Sequence, residues 1–131
     1  MNKKTKVLIV EDEMPLMMFM VSILTQMGCD VKSAFNGKKA MELAAEKRFD
    51  LVMVNADLRD ASGPRVCGEL KLRHISRKTP LILISVKSYP QELPLEADDC
   101  ITKPFEATEL VYKVIHHTRA KHSKAPEPVL L

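Results

Sequence analysis

The stretch FDLVMVNADLRDASG at residues 49–63 decides the fold. Its Leu51-Val52-Met53-Val54 run is continuous instead of alternating, which is typical of a strand buried on both faces of a parallel sheet. Further candidate strands lie at residues 7–10, 30–34, 81–84 and 100–102. The sequence therefore predicts a sheet of five strands.

Segments of helical character separate these strands. They lie at residues 15–27, 37–48, 64–75 and 105–122. Regular alternation of strand and helix predicts an open, doubly wound α/β sheet with right-handed crossovers, whose ligand site lies beyond the carboxyl ends of the central strands. Between the last two strands, residues 87–98 contain Pro90 and Pro94. The fourth of five expected helices should therefore be short or degenerate.

Length and composition fit one compact domain. The chain has 131 residues, of which 46% are hydrophobic, and this is enough to build a single buried core. We assign residues 1–122 to that domain. Residues 123–131 contain two prolines, which predict a flexible C-terminal tail or a truncated linker.

Charge, apolar stretches and cysteines narrow the class of protein. A net charge of +3 is too small to imply nucleic-acid binding by itself. The apolar stretch at residues 14–24 is shorter than the roughly 20 residues that cross a bilayer. The three cysteines are far apart, which is typical of reduced thiols. We therefore expect a cytoplasmic protein without a membrane segment.

Polar residues follow the predicted strands where they end. Glu11-Asp12-Glu13 follows the first strand, Asn55-Ala56-Asp57 the third, Ser85 the fourth and Lys103 the fifth. The carboxyl ends of parallel strands meet at one edge of the sheet. An acidic pair, a carboxamide, a hydroxyl and a lysine at this edge would suit a hard divalent cation beside a phosphate.

The chain resembles the receiver domain of two-component response regulators over about residues 5–120. Four segments carry the resemblance: VLIVEDE at 7–13, FDLVMVNADLRDASG at 49–63, PLILIS at 80–85 and ADDCITKPF at 97–105. The resemblance implies a flavodoxin-like (βα)5 fold with strand order 2-1-3-4-5. It also implies a non-enzymatic, cytoplasmic role in phosphorelay signalling, with a histidine kinase or a downstream effector as partner.

The family's site residues can be carried over by position. Glu11 and Asp12 match the acidic pair that binds Mg²⁺, with Asp12 the more direct ligand, and the backbone carbonyl of Asp57 matches a third ligand. Lys103 and Ser85 match the residues that contact the phosphoryl oxygens.

The phosphoacceptor position holds Asn55 instead of aspartate, counting back eight residues from Gly63 or forward from Asp50. An amide is a poor nucleophile and cannot form an acyl phosphate. The oxygen of Asn55 could still coordinate a cation. Loss of one negative charge predicts weakened Mg²⁺ binding, for which the carboxylate of Asp57 would partly compensate.

Two further departures from the family pattern concern how a receiver passes its signal to a partner. Cys100 stands where the family has an aromatic switch residue, and a small thiol cannot act as that switch. If the shortened fourth helix exposes the edge of the last strand, Ile101, Val111 and Ile115 become candidates for a homodimer surface.

The apolar residues of the first helix exceed what one inward face requires. We assign that face to Leu16, Phe19, Met20, Ile23 and Met27. Met17, Met18, Val21 and Leu24 are then partly surplus and form a candidate interface.

Three functions compete. The first is a pseudo-receiver that works through protein contacts without phosphorylation. The second is a phosphorylatable switch that uses Asp57, or one in which aspartate belongs at position 55. The third is a small phosphohydrolase, because a strand ending in Asn55-Ala56-Asp57 faintly resembles the DxD strand end of haloacid-dehalogenase enzymes.

Overall fold

The computed structural model describes residues 4–60, 62–75, 78–86 and 96–122. The strands are β1 Lys6–Val10, β2 Asp30–Ala34, β3 Leu51–Asn55, β4 Leu81–Ser85 and β5 Asp99–Thr102. The helices in these ranges are α1 Met14–Gln26, α2 Gly37–Glu46, α3 Gly63–Arg73 and α4 Ala107–His122. None of them is long and apolar enough to span a membrane.

All five strands pair in parallel, in the order β2-β1-β3-β4-β5. The predicted doubly wound sheet is therefore confirmed. Most of the interval that contains Pro90 and Pro94 lies outside the described residues, and so does the predicted tail at 123–131.

Two core clusters pack on opposite faces of the sheet. Val52 and Val54 of β3 belong to the cluster beneath α2 and α3, whereas Leu51 and Met53 belong to the cluster beneath α1 and α4. All four side chains are fully buried. Burying each stabilises the fold by about 1.5–3 kcal/mol, which explains why the strand sequence is apolar without alternation.

The inward face of α1 differs from the expected one. Met17, Met20 and Leu24 are buried, whereas Phe19 is 39% exposed. The prediction that Met17 and Leu24 are surplus was therefore wrong, and so was the inward placement of Phe19. These three buried residues follow the i, i+3, i+7 spacing of one helix face, and Phe19 lies at the rim of the core, with its ring 6.3 Å from that of Phe105.

Ile101 does not lie on an exposed edge. It is 1% exposed and packs in the cluster beneath α1 and α4, because its side chain points to that face of β5. The prediction that Ile101 contributes to a dimer surface was therefore wrong. Val111 is half-buried and Ile115 is 39% exposed.

A charged cluster joins β5 to α4. The carboxylate of Asp99 accepts hydrogen bonds from Lys113 Nζ at 2.8 and 2.9 Å and lies 2.7 Å from His117 Nε2. Burial alone would raise the pKa of Asp99, but the hydrogen bonds of His117, Lys113 and the Cys100 N–H hold it below its ordinary value. The charged form of Asp99 therefore stabilises the native state.

We expect Asp99→Asn to lower the free energy of unfolding at neutral pH by about 1–2 kcal/mol. Because the pKa of Asp99 is lower in the folded chain, its stabilisation is complete above the ordinary value of 3.8 and disappears as the pH falls through the folded value. Urea unfolding of both proteins across this range should show a difference that shrinks with acid. A difference that does not depend on pH would contradict this account.

Candidate functional site

Polar residues at the ends of β1, β3 and β5 line one cavity of about 900 Å³, whereas Glu11 and Ser85 are buried and do not line it. Its polar lining consists of Asp12, Glu13, Asn55, Asp57, Arg59 and Lys103. An apolar wall completes it, formed by Leu16, Phe19, Val86, Pro104 and Phe105. These polar residues could be predicted from the sequence, apart from a role for Arg59. The apolar wall was not predicted; its sequence signal is the Lys103-Pro104-Phe105 run that ends the last matching segment.

Asn55 is the last residue of β3 and is 2% exposed. The strand register pairs it with Ile84 of β4, and the following Ala56 N–H donates to the Ile84 carbonyl at 2.7 Å. Gly63 begins α3 directly against this strand end, since a Cβ at Gly63 would lie 2.3 Å from the Asn55 carbonyl oxygen. Asn55 thus ends β3 eight residues before the glycine that begins α3.

The carboxamide of Asn55 lies between two acidic side chains. Its Nδ2 donates to Glu11 Oε2 at 3.1 Å and to Asp12 Oδ1 at 3.4 Å, and its Oδ1 accepts from the Asp57 N–H at 2.9 Å. Ionised carboxylates only accept hydrogen bonds, and the Asp57 N–H only donates. The three neighbours therefore fix the orientation of the amide.

Glu11 is fully buried beneath the cavity. Its Oε2 also accepts from the Glu13 N–H at 2.9 Å, whereas Oε1 accepts no hydrogen bond from any described residue. Lys103 Nζ lies 3.5 Å from Oε1. Burial raises the pKa of Glu11, and this effect outweighs the opposing effects of the Glu13 N–H and the Lys103 charge.

Asp12 connects two loops. Its Oδ2 accepts from the Arg59 N–H at 2.8 Å, so the segment after β1 is bound to the segment after β3. The Arg59 contact is made by the backbone, and no side-chain pattern in the sequence indicates it.

Lys103 follows β5 and reaches the same acidic segment. Its Nζ lies 3.2 Å from Glu13 Oε1, and only 16% of its side chain is exposed. The Lys103 N–H donates to the carbonyl of Ser85 at 2.8 Å, which brings the end of β5 beside the buried residue that ends β4. The peptide bond between Lys103 and Pro104 is cis.

Asp57 and Cys100 differ from these residues in their surroundings. Asp57 is exposed at the cavity, and no hydrogen bond or ion pair of its carboxylate is present among the described residues.

Cys100 is a half-buried free thiol that packs against the core beneath α2 and α3. Its environment is that of a packing residue.

The donor set does not fit Mg²⁺ as it is arranged. A magnesium ion prefers oxygen ligands in a near-octahedral set, but the amide directs its hydrogens at the acidic pair and its oxygen at the Asp57 N–H. Within the described ranges, no three His, Cys, Asp or Glu side chains are grouped to hold a metal ion.

Comparison with known proteins agrees with this fold. The family model of the response regulator receiver domain matches residues 7–115. The chain therefore belongs to the response regulator receiver family.

Solved receiver structures superpose closely. A receiver domain protein from Methanospirillum hungatei is 21% identical with a TM-score of 0.81, and 91% of this chain and 97% of that one are covered. The response regulator TrrA from Thermotoga maritima, solved with Mg²⁺-BeF, is 27% identical with a TM-score of 0.77, covering 86% and 97%.

A third similar structure was solved with a magnesium ion in its active-site cleft. It is the receiver domain of a sensor histidine kinase from Pseudomonas aeruginosa, 21% identical with a TM-score of 0.79, covering 89% and 99%.

Proposed function

We propose that this receiver is a cytoplasmic protein-binding module that signals without being phosphorylated on its own chain. One observation carries the proposal: the residue at the end of β3, inside the acidic pocket, is Asn55 and its Nδ2 lies 3.1 Å from Glu11. Phosphoryl transfer to a receiver needs a carboxylate oxygen as nucleophile. An amide nitrogen held by two carboxylates cannot attack.

The surrounding groups support the same proposal. Lys103, which would neutralise an incoming phosphoryl group, lies between Glu11 and Glu13 at 3.5 and 3.2 Å. The negative charge that an aspartate at position 55 would contribute is missing. We therefore propose that Mg²⁺ binds more weakly here than in a receiver that has the aspartate.

Phosphorylation of Asp57 is the second candidate. Its carboxylate is exposed at the cavity and could accept a phosphoryl group on grounds of access. However, Asp57 lies two residues beyond the end of β3, and its N–H is engaged by Asn55. A nucleophile on this loop would not occupy the strand-end position that faces the acidic pair.

The partner is a histidine kinase or a downstream effector that recognises the folded surface. The cavity presents carboxylates next to the apolar wall, in which Phe19 and Phe105 are adjacent. For self-association, Val111 and Ile115 on α4 are the remaining candidates, because Ile101 is buried.

The proposal predicts that the wild-type chain keeps its mass after incubation with a small phosphodonor and Mg²⁺. Intact mass spectrometry measures this directly, since one phosphoryl group adds about 80 Da. Asp57→Ala, measured in parallel, separates the two candidates. A gain in the wild type that Asp57→Ala abolishes would make Asp57 the acceptor and refute the proposal.

A further inference from the structure

Glu11 and Asp12 are adjacent acidic residues at the end of β1, and both lie within hydrogen-bond distance of the Asn55 amide nitrogen. Neighbouring carboxylates repel each other, and a cation or a hydrogen-bond donor that contacts both offsets this repulsion. In a site that bound Mg²⁺, the ion would be that cation. Here the only group that donates to both carboxylates, within the described residues, is the carboxamide of Asn55.

We infer that the two amide hydrogens of Asn55 replace the divalent cation as the group that holds the acidic pair together. The inference rests on the proposed function, because it takes Asn55 as a permanent part of the site. It goes beyond that function by making the site independent of metal. Asn55 is then a positioning residue, and it touches no reacting atom.

The hydrogen bonds reach three segments at once. Glu11 and Asp12 belong to the segment after β1, Asn55 ends β3, and Asp57 and Arg59 belong to the loop before α3. The bonds are Asn55 Nδ2 to Glu11 at 3.1 Å and to Asp12 at 3.4 Å, Asp57 N to Asn55 Oδ1 at 2.9 Å, and Arg59 N to Asp12 Oδ2 at 2.8 Å. Together they give the loops around the cavity one fixed arrangement.

A cation that takes the amide oxygen of Asn55 as a ligand would disrupt this network. The amide would have to rotate by half a turn to present its oxygen, and both bonds to the acidic pair would be lost. After rotation, the Asp57 N–H would face an amide N–H, which cannot accept a hydrogen bond. Rotation would give up three hydrogen bonds to present one amide oxygen, so the native arrangement opposes binding of the ion.

Thermal unfolding with and without Mg²⁺ tests the inference, with no phosphodonor present. For the wild type, we expect melting temperatures in excess MgCl2 and in EDTA to agree within about 1 °C, because a ligand that does not bind the native state does not stabilise it. For Asn55→Asp, a third carboxylate replaces the donor. In EDTA, the melting temperature of Asn55→Asp should be lower than that of the wild type. Saturating Mg²⁺ should raise the melting temperature of this variant by about 5 °C above its value in EDTA.

Asn36→Asp is the matched control. Asn36 is exposed and caps α2 by accepting from the Lys39 N–H at 2.7 Å, and aspartate caps a helix equally well. The chemical change is the same, but it lies outside the acidic pocket. Its melting temperature should not depend on Mg²⁺.

Asn55→Ala keeps the test decisive if Asn55→Asp does not fold. Removing the amide leaves the acidic pair without its donor, so Mg²⁺ should stabilise this variant although it does not stabilise the wild type. A rise of several degrees in the wild type would overturn the inference. So would Mg²⁺-independent melting of both Asn55 variants, because no cation position would then exist for Asn55 to replace.

The proposed function fails on a different result. Phosphate on the wild-type chain refutes that proposal whatever the melting curves show. Mg²⁺-dependent melting of an unphosphorylated wild type refutes only the replacement of the cation.

Discussion

Asn55→Asp is expected to gain about 80 Da, the mass of one phosphoryl group, on incubation with a small phosphodonor and Mg²⁺. The substitution places a carboxylate oxygen at the end of β3, within the acidic pocket that Asn55 occupies. It also adds a third carboxylate to those of Glu11 and Asp12, which favours binding of Mg²⁺. Lys103, 3.5 Å from Glu11, is placed to neutralise the charge that develops during transfer.

Two double variants are the controls for this gain. Adding Asp12→Asn to Asn55→Asp removes a proposed metal ligand, and adding Lys103→Ala removes the lysine cation. Each should lower the phosphorylation rate by at least about tenfold, the scale of losing one charged contact in a transition state. If Asn55→Asp gains no phosphate although it folds, the pocket has diverged at more than one position, and the module has no latent switch.

Gly63→Ala is expected to lower the free energy of unfolding by about 3 kcal/mol and the melting temperature by roughly 10 °C. An added Cβ would lie 2.3 Å from the Asn55 carbonyl oxygen and 2.4 Å from the Ala56 Cα. Both are backbone atoms beside the central strand, so neither can move without shifting β3. Denaturant unfolding monitored by circular dichroism measures the loss.

Gly68→Ala is the matched control in the same helix. The atoms nearest to a Cβ there would belong to the side chain of Glu96, the first at 3.7 Å, which is an ordinary contact. Because alanine is a better helix former than glycine, this variant should be more stable than the wild type by about 0.5–1 kcal/mol. A gain in stability of Gly63→Ala equal to that of Gly68→Ala would mean that helix propensity alone governs both positions, and it would contradict the predicted contact with β3.

The fold could be predicted from the sequence because its signals are local and agree with one another. Continuous apolar runs such as Leu51-Val52-Met53-Val54 are needed wherever a strand has cores on both faces. The direction of side chains was harder to predict. In α1, nearly every residue is apolar, so the sequence fits more than one inward face, and packing selected Met17, Met20 and Leu24.

The burial of a residue at the edge of the sheet could not be predicted from the sequence either. Ile101 was expected to be exposed if the preceding helix is short. It is buried because the side of β5 on which it lies is covered by the helices of that face. This depends on which helix crosses which face, and no local pattern specifies it.

The members of the candidate site could be identified from sequence, but their contacts could not. Strand ends bring Glu11, Asp12, Asn55 and Lys103 together in any parallel sheet of this order. Which atom of the amide faces the acidic pair depends on backbone groups such as the Asp57 N–H. The sequence therefore left open an amide oxygen that coordinates a cation, whereas the structure directs the amide hydrogens to the carboxylates.

The most direct measurement of the central claim is a single phosphorylation reaction that contains the wild type and Asn55→Asp together. Labelling the wild type with ¹⁵N separates the two masses, so that donor, Mg²⁺ and time are identical for both chains. We predict that only the unlabelled Asn55→Asp gains about 80 Da. A labelled wild type that gains the same mass at a similar rate would contradict the claim that Asn55 prevents phosphorylation.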